Sequence, residues 1–189
     1  MISGTNITLR APLDEDLPTL MGMRNDLELQ RNLLSVPRPN TMSRVKQWLE
    51  RRLEDERGLF FIIAHSADNH AVGFIQIVGI DWVHQSGKLG LALIASARGK
   101  GWGTEAMTLC ENYAAQRMGL RKIVLEVLAS NTSAIKTYNK LGYRTIGEMK
   151  EHFFVDGVYH SVILMEKMLA KAHMTPAFTV TTNQKVEAA

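Results

Sequence analysis

The segment Arg98-Gly99-Lys100-Gly101-Trp102-Gly103 constrains this chain more than any other. It follows the apolar run Leu89-Gly90-Leu91-Ala92-Leu93-Ile94-Ala95 and precedes Thr104-Glu105-Ala106-Met107, so the order is strand, glycine-rich turn, helix start. A chain turning sharply from strand to helix close to a ligand needs residues without a Cβ, and alternate positions 99, 101 and 103 supply them. The first helical turn leaves N–H groups without intrahelical acceptors, and these point at whatever sits over the turn. Arg98 and Lys100 add positive charge at the rim. The segment therefore reads as an anion cradle suited to a phosphate or pyrophosphate.

Spacing removes two guests. A nucleoside-triphosphate loop places a second glycine five residues after the first, then Lys and Ser or Thr; here Lys100 is followed by Gly101, and no hydroxyl is placed to hold magnesium. A dinucleotide fingerprint wants glycine at position 104 and an acid about 20 residues on. Position 104 is Thr, and the matching region, Gly119 to Lys122, has no acid.

A second motif follows the strand-like run Lys122-Ile123-Val124-Leu125-Glu126-Val127. Its form is Asn-x-x-Ala-x-x-x-Tyr-x-x-x-Gly-Tyr, from Asn131 through Ala134, Tyr138 and Gly142 to Tyr143. Asn131 suits the N-cap of a helix, Ala134, Tyr138 and Leu141 share one helical face, and Gly142 suits its C-terminal stop. The two motifs together, over about residues 5–168, resemble the GNAT superfamily of N-acetyltransferases.

That resemblance implies an α+β GNAT fold: a central mixed, largely antiparallel seven-stranded sheet flanked by about four helices, in the order β-α-α-β-β-β-α-β-α-β-β. The residues agree with the order. Ile7 to Arg10 alternates as a strand, Pro12 to Asn25 reads as a helix with Asp14, Glu15 and Asp16 at its start, and Ser43 opens a second helix with Val45, Trp48, Leu49 and Leu53 in a stripe. Arg51 and Arg52 stand four residues before Asp55 and Glu56, which reads as a solvated face with weak ion pairs. Leu59 to His65, Ala71 to Asp81 and Gly87 to Ala95 read as strands. Tyr143 to Phe154 and Val158 to Met168 read as a hairpin around Val155-Asp156-Gly157. Residues 169–189 lack periodicity and read as a flexible tail.

The chemistry implied is transfer of an acetyl group from acetyl-CoA to a primary amine by direct attack in a ternary complex, with no metal. By the same resemblance Arg98, Gly99, Lys100, Gly101, Trp102, Gly103 and Thr104 hold the coenzyme A pyrophosphate. Leu93 and Ile94 supply the backbone donor for the oxyanion, Asn131 and Ala134 complete the coenzyme site, and Tyr138 protonates or hydrogen-bonds the departing thiolate. Deprotonating a lysine-like amine at pH 7 costs roughly 4.6 kcal/mol, against roughly 1.4 kcal/mol for an α-amine near pKa 8, so a base is useful. Glu126 matches the base position of ribosomal-protein N-terminal acetyltransferases; as a strand residue alternating with Leu125 and Val127 it also reads as a surface carboxylate. His84, His152, Glu148 and Glu151 lie on loops or strand ends that could face a substrate, with an ordinary surface residue as the preferred reading of each.

The stretches Ile80 to Ser86 and Glu151 to Tyr159 resemble the branch holding spermidine and ribosomal-protein N-terminal acetyltransferases. A polyamine site should be lined by carboxylates. Here the loop Leu33 to Asn40 contains no acid, and Gln76 and Lys88 stand where polyamine enzymes tend to place acids. The acceptor stays open among a protein N-terminus, an amino sugar and a small amine, with spermidine as an alternative. A non-catalytic acyl-CoA-binding regulatory module is the rival from another class. With 22 basic and 19 acidic residues the charge excess is too weak to indicate nucleic acid. The single cysteine, Cys110, excludes a disulfide framework and reads as a small buried hydrophobe. No run approaches a membrane span or a signal peptide, so the expectation is a cytoplasmic protein. The branch further implies a homodimer.

Overall fold

The structure, a computed structural model, describes residues 1–169; the predicted tail lies outside these residues apart from Leu169. Eight strands form one sheet in the order β1-β2-β3-β4-β5-β6-β8-β7. They are β1 (Ile2–Ser3), β2 (Ile7–Arg10), β3 (Leu59–His65), β4 (Ala71–Asp81), β5 (Ser86–Leu93), β6 (Lys122–Leu128), β7 (Arg144–Val155) and β8 (Val158–Met168). Five helices flank it: α1 (Leu17–Asn25), α2 (Leu27–Asn32), α3 (Met42–Glu54), α4 (Trp102–Arg117) and α5 (Thr132–Lys140). All pairings are antiparallel except β5 with β6. That parallel pair needs a long crossover, and α4 supplies it.

Several local signals act as expected. The β7–β8 hairpin turns at Asp156 (φ 53°) and Gly157 (φ 78°), two left-handed residues whose twist matches the strands they join. Asn131 caps α5 by accepting from the Ala134 N–H at 3.2 Å. The helix stops in a Schellman arrangement: Gly142 (φ 87°) donates to Asn139 and Tyr143 donates to Tyr138, each at 3.0 Å. Cys110 is fully buried, and burial, with Glu111 beside it, pushes its thiol up to about 12.

Two elements exceed the sequence expectation. Strand β1 is a two-residue edge. Helix α2 exists because Asp26 leaves helical geometry (ψ 107°) and its side chain accepts from the Leu29 N–H, ending α1 and capping a new helix at once. At the other end of α1, helix starts at Leu17 rather than Pro12, after a 3-10 turn over Asp14–Asp16. Asp16 is buried there in a two-pronged pair with Arg10, at 2.7 and 2.8 Å. Thr41, not Ser43, caps α3.

The charge run on α3 also differs. The helix ends at Glu54, so Asp55 and Glu56 fall outside it, and no ion pair involves Arg51 or Arg52 among the described residues.

Two cores share the sheet. On one face, Ile63, Ile75, Leu89, Leu93 and Leu125 pack with Met107, Cys110 and Ala114 of α4, and Ala134 and Tyr138 of α5 join them. On the other face Phe60, Ile62, Phe74 and Ala92 pack with Leu20 of α1, Leu29 of α2 and Val45 and Leu49 of α3. Strand alternation assigns the remaining side chains. Gln76 follows Phe74, Lys88 precedes Ala92 at an even spacing, and Glu126 alternates with Leu125 and Val127, so all three stand on the α1–α3 face.

Candidate active site

Strands β5 and β6 pair only at Ser86–Lys122, Gly87–Ile123 and Lys88–Val124. Past Lys88, β5 stays on β4 as far as Leu93 while β6 follows β8 as far as Leu128, so the sheet splits into a V. The split opens a cleft of about 980 Å³.

Its β5 wall offers backbone donors. Ile94 N–H is bonded to Val72 O at 2.9 Å. Alternation along an antiparallel ladder then aims the N–H groups of Ala92 and Gly90 at β4 as well, and those of Leu91 and Leu93 into the split. Of the expected pair, Ile94 therefore has no free donor, and Leu93 does. Arg98 Nε fixes the strand end by donating to Leu93 O at 3.1 Å.

The glycine turn lies at the mouth of the split. Gly99 (φ 76°) and Gly101 (φ 81°) are left-handed, and a Cβ at either would meet nothing within 4 Å among the described residues, so backbone conformation and open space are what glycine provides. Gly101 is the N-cap of α4 with no side-chain cap. Glu105 N–H makes the first helical bond, to Gly101 O at 3.0 Å. The six consecutive N–H groups from Gly99 to Thr104 have no acceptor among the described residues. Unpaired donors at a helix N-terminus form an anion site without any side chain.

The side chains at the turn divide. The Arg98 guanidinium lies 3.9 Å from Asp26 and 4.0 Å from Glu28, tying the turn to α2. Contrary to expectation, the side chains of Lys100 and Trp102 face away from the cleft: the Trp102 ring packs on His65 at 4.9 Å, and Lys100 Nζ lies over it at 4.7 Å. Only their N–H groups belong to the cradle.

The β6 side carries the second motif. Asn131, Ala134 and Tyr138 all line the cleft. Asn131 Nδ2 also reaches Asn32 Oδ1 at 3.4 Å, linking α5 to α2. Tyr138 packs against Tyr143 with ring centroids 5.9 Å apart, and burial raises its pKa above the usual phenol value. It is therefore a neutral hydroxyl donor throughout the physiological range.

Glu126 lines the same cleft, with Lys88 Nζ on its Oε2 at 2.5 Å. The carboxylate points inward, but a counter-ion holds it. His84, His152, Glu148 and Glu151 do not line the cleft. The His84 N–H instead donates to Asp81 in the β4–β5 hairpin at 2.8 Å.

One wall of the cleft was only partly foreseen: Gln76 was placed near the acceptor, but Arg24, Trp48 and Arg52 were not. Arg24 of α1 lies over the Trp48 ring of α3, with Cζ 4.5 Å from the centroid. Trp48 in turn meets Phe60 and Phe74 edge-on at 5.6 and 5.7 Å. Arg24, Trp48, Arg52, Phe74 and Gln76 all line the cleft. Among the described residues, Arg24 Nε and Gln76 Oε1 are buried without a hydrogen-bond partner. Burial, then Arg52 and Arg51, depress the Arg24 pKa below its ordinary value.

Comparison with known proteins agrees with this geometry. The family described as Acetyltransferase (GNAT) domain matches residues 6–144. The SPbeta prophage-derived N-acetyltransferase YokL of Bacillus subtilis (strain 168) is 29% identical over 163 residues, covering 85% of this chain and 89% of that protein. Spermidine N(1)-acetyltransferase of Escherichia coli (strain K12) is 26% identical, covering 95% and 97%. In structure, the spermidine N-acetyltransferase of Vibrio cholerae in complex with CoA and spermine superposes with a TM-score of 0.82 at 22% identity, over 88% of this chain and 97% of the other. The family matches across most of the chain, and the split strands, glycine turn and tyrosine helix occur together in one cleft. The chain belongs to the GNAT family of acetyl-CoA-dependent N-acetyltransferases.

Proposed function

We propose that acetyl-CoA lies along the open edge of β5 with its pyrophosphate over the Gly99–Thr104 N–H groups, and that a primary amine enters from the α1–α3 face. The observation carrying this reading is the row of six unpaired N–H groups at the mouth of a split that also contains Tyr138. The amine nitrogen attacks the thioester carbonyl, a C–N bond forms, and the C–S bond breaks. Leu93 N–H, with Leu91 N–H beside it, faces the oxyanion that develops between these events.

Tyr138 donates a hydrogen bond to the departing sulfur. A thiol has a pKa of about 8.5 and an ordinary phenol about 10, so full proton transfer from Tyr138 would run uphill by roughly 2 kcal/mol, and burial makes it steeper. The proton that finally rests on the thiol comes from the attacking amine. Glu126 takes it, directly or through water, and must loosen its contact with Lys88 to do so. This base demand is modest for an α-amine and larger for a lysine-like amine.

Titration calorimetry with acetyl-CoA, followed by CoA release with a mixed amine panel, tests the reading. Binding with turnover is expected. Binding without turnover of any amine would make the protein a non-catalytic acyl-CoA module. The relatives named for spermidine supply a polyamine candidate, and the panel includes it. Assembly is part of the same proposal. One V. cholerae spermidine N-acetyltransferase neighbour is described as dodecameric, and self-association of this chain, a homodimer at least, is expected in sedimentation equilibrium. A cytoplasmic location follows from the supply of acetyl-CoA.

A further inference from the structure

The α1–α3 wall of the cleft has the wrong sign for a polycation. Among the described residues its acids are Glu28 and Glu126. Glu126 is held by Lys88 at 2.5 Å, and Glu28, which is 77% exposed, faces Arg98 at 4.0 Å. Neither is a free carboxylate awaiting an ammonium group. Arg24 and Arg52, by contrast, have no ion-pair partner among the described residues, although each is half-buried. A half-buried guanidinium beside like charges is costly unless an anion joins it.

Two unpartnered atoms sharpen the picture. Arg24 Nε is a buried donor and Gln76 Oε1 a buried acceptor. They lie on one continuous wall: Arg24 on Trp48, Trp48 on Phe74, and Gln76 two residues along β4 from Phe74, about 6.7 Å by strand rise. Gln76 pairs across the strands with Gly90, and its side chain lies over that glycine, where a Cβ would stand 3.4 Å from Nε2. A donor that lacks an anion and an acceptor that lacks an N–H, joined by an aromatic surface, match a ligand with both groups.

We propose that the acceptor is an amine that also carries an anionic group, a carboxylate or a phosphate, which Arg24 and Arg52 bind while Gln76 accepts from the amine. This rests on the cleft being an acetyltransferase site, and it departs from the spermidine named for the relatives. The planar guanidinium of Arg24 can hold either anion through two N–H groups while its face stays on Trp48.

Matched acceptors test the inference: an amino acid against its amide, an amino-sugar phosphate against the free amino sugar, and spermidine. Each is measured for turnover and for calorimetric binding to protein loaded with CoA. The anionic member of at least one pair should bind more tightly, and which pair responds separates carboxylate from phosphate. Arg24→Met and Arg52→Gln should each reduce that preference by about 10- to 100-fold, with Arg24→Lys restoring part of it. Acetyl-CoA affinity serves as the check on folding. Tighter binding of spermidine than of every anionic amine, a preference that survives both substitutions, or weaker acetyl-CoA binding in Arg24→Met would each overturn the proposal. Tight binding of an anionic amine without turnover would support the subsite while overturning the transferase reading.

Discussion

Replacing Gly101 by alanine separates the cradle from every other part of the site. At φ 81° an L-residue with a Cβ is strained by about 1–2 kcal/mol, and among the described residues no neighbour within 4 Å would be struck. The open space that receives the methyl group is the space assigned to the pyrophosphate. Either the turn holds its shape and the methyl crowds the anion, or the turn relaxes and re-aims the N–H groups. Losing one charge-assisted hydrogen bond costs about 1.5–3 kcal/mol, or roughly 10- to 150-fold in affinity. The assay is calorimetric binding of acetyl-CoA alongside acetyl-pantetheine, which has the same thioester arm and no pyrophosphate. Acetyl-CoA should weaken by that factor and acetyl-pantetheine should not change. Gly101→Asn separates the two causes, because asparagine tolerates left-handed geometry: recovery over alanine indicates strain, further loss indicates occlusion. Equal losses for both ligands would refute the assignment of the pyrophosphate to this turn.

Other substitutions address the remaining groups. Tyr138→Phe should lower kcat by about 10- to 100-fold with little change in the acetyl-CoA dissociation constant. Because burial raises the phenol pKa, the wild-type rate should show no downturn from tyrosine ionisation between pH 6 and 9; an unchanged rate in the phenylalanine variant rejects the donor role. Glu126→Gln should remove the low-pH limb of kcat/KM, and a profile identical to wild type would count against the base. Asp16→Asn leaves the buried Arg10 guanidinium without its charge partner and should cost about 3–5 kcal/mol in chemical denaturation. At Glu105 burial raises the carboxyl pKa, but hydrogen bonds from Asn6, Thr5 and Ile7 outweigh it and hold the value below normal. A lowered folded pKa means stability present above the unfolded value, about 4.3, and lost as pH falls through the folded one. Glu105→Gln should accordingly flatten the acid limb of thermal stability below about pH 4.3, and a parallel limb would show that the contact is not linked to folding.

What could be read from the chain is what consecutive residues fix by themselves. A glycine needing positive φ at Gly101, an N-cap at Asn131, a Schellman stop at Gly142 and an Asp156-Gly157 turn are local events, each decided by backbone sterics within a few residues. The cradle and the Tyr138 helix were therefore legible, as was the order of elements around them. Helix α2 was not legible because Asp26, which ends one helix and caps the next, resembles a simple stop in sequence.

The arginine–tryptophan part of the cleft wall was not legible, for a different reason. Arg24, Trp48 and Gln76 come from α1, α3 and β4, and only packing of both helices on Phe60 and Phe74 sets a guanidinium on an indole beside an amide. Arg52 belonged in sequence to a solvated i,i+4 pattern until α3 ended at Glu54 and left it without its partner. The Lys88–Glu126 pair likewise depends on the parallel register of two strands joined by a 16-residue helix. Local backbone conformation is a property of neighbours in the chain, and it determined where the unpaired N–H groups of the glycine turn lie. The charge of the cleft's α1–α3 wall is a property of neighbours in space, and only the tertiary structure could decide it.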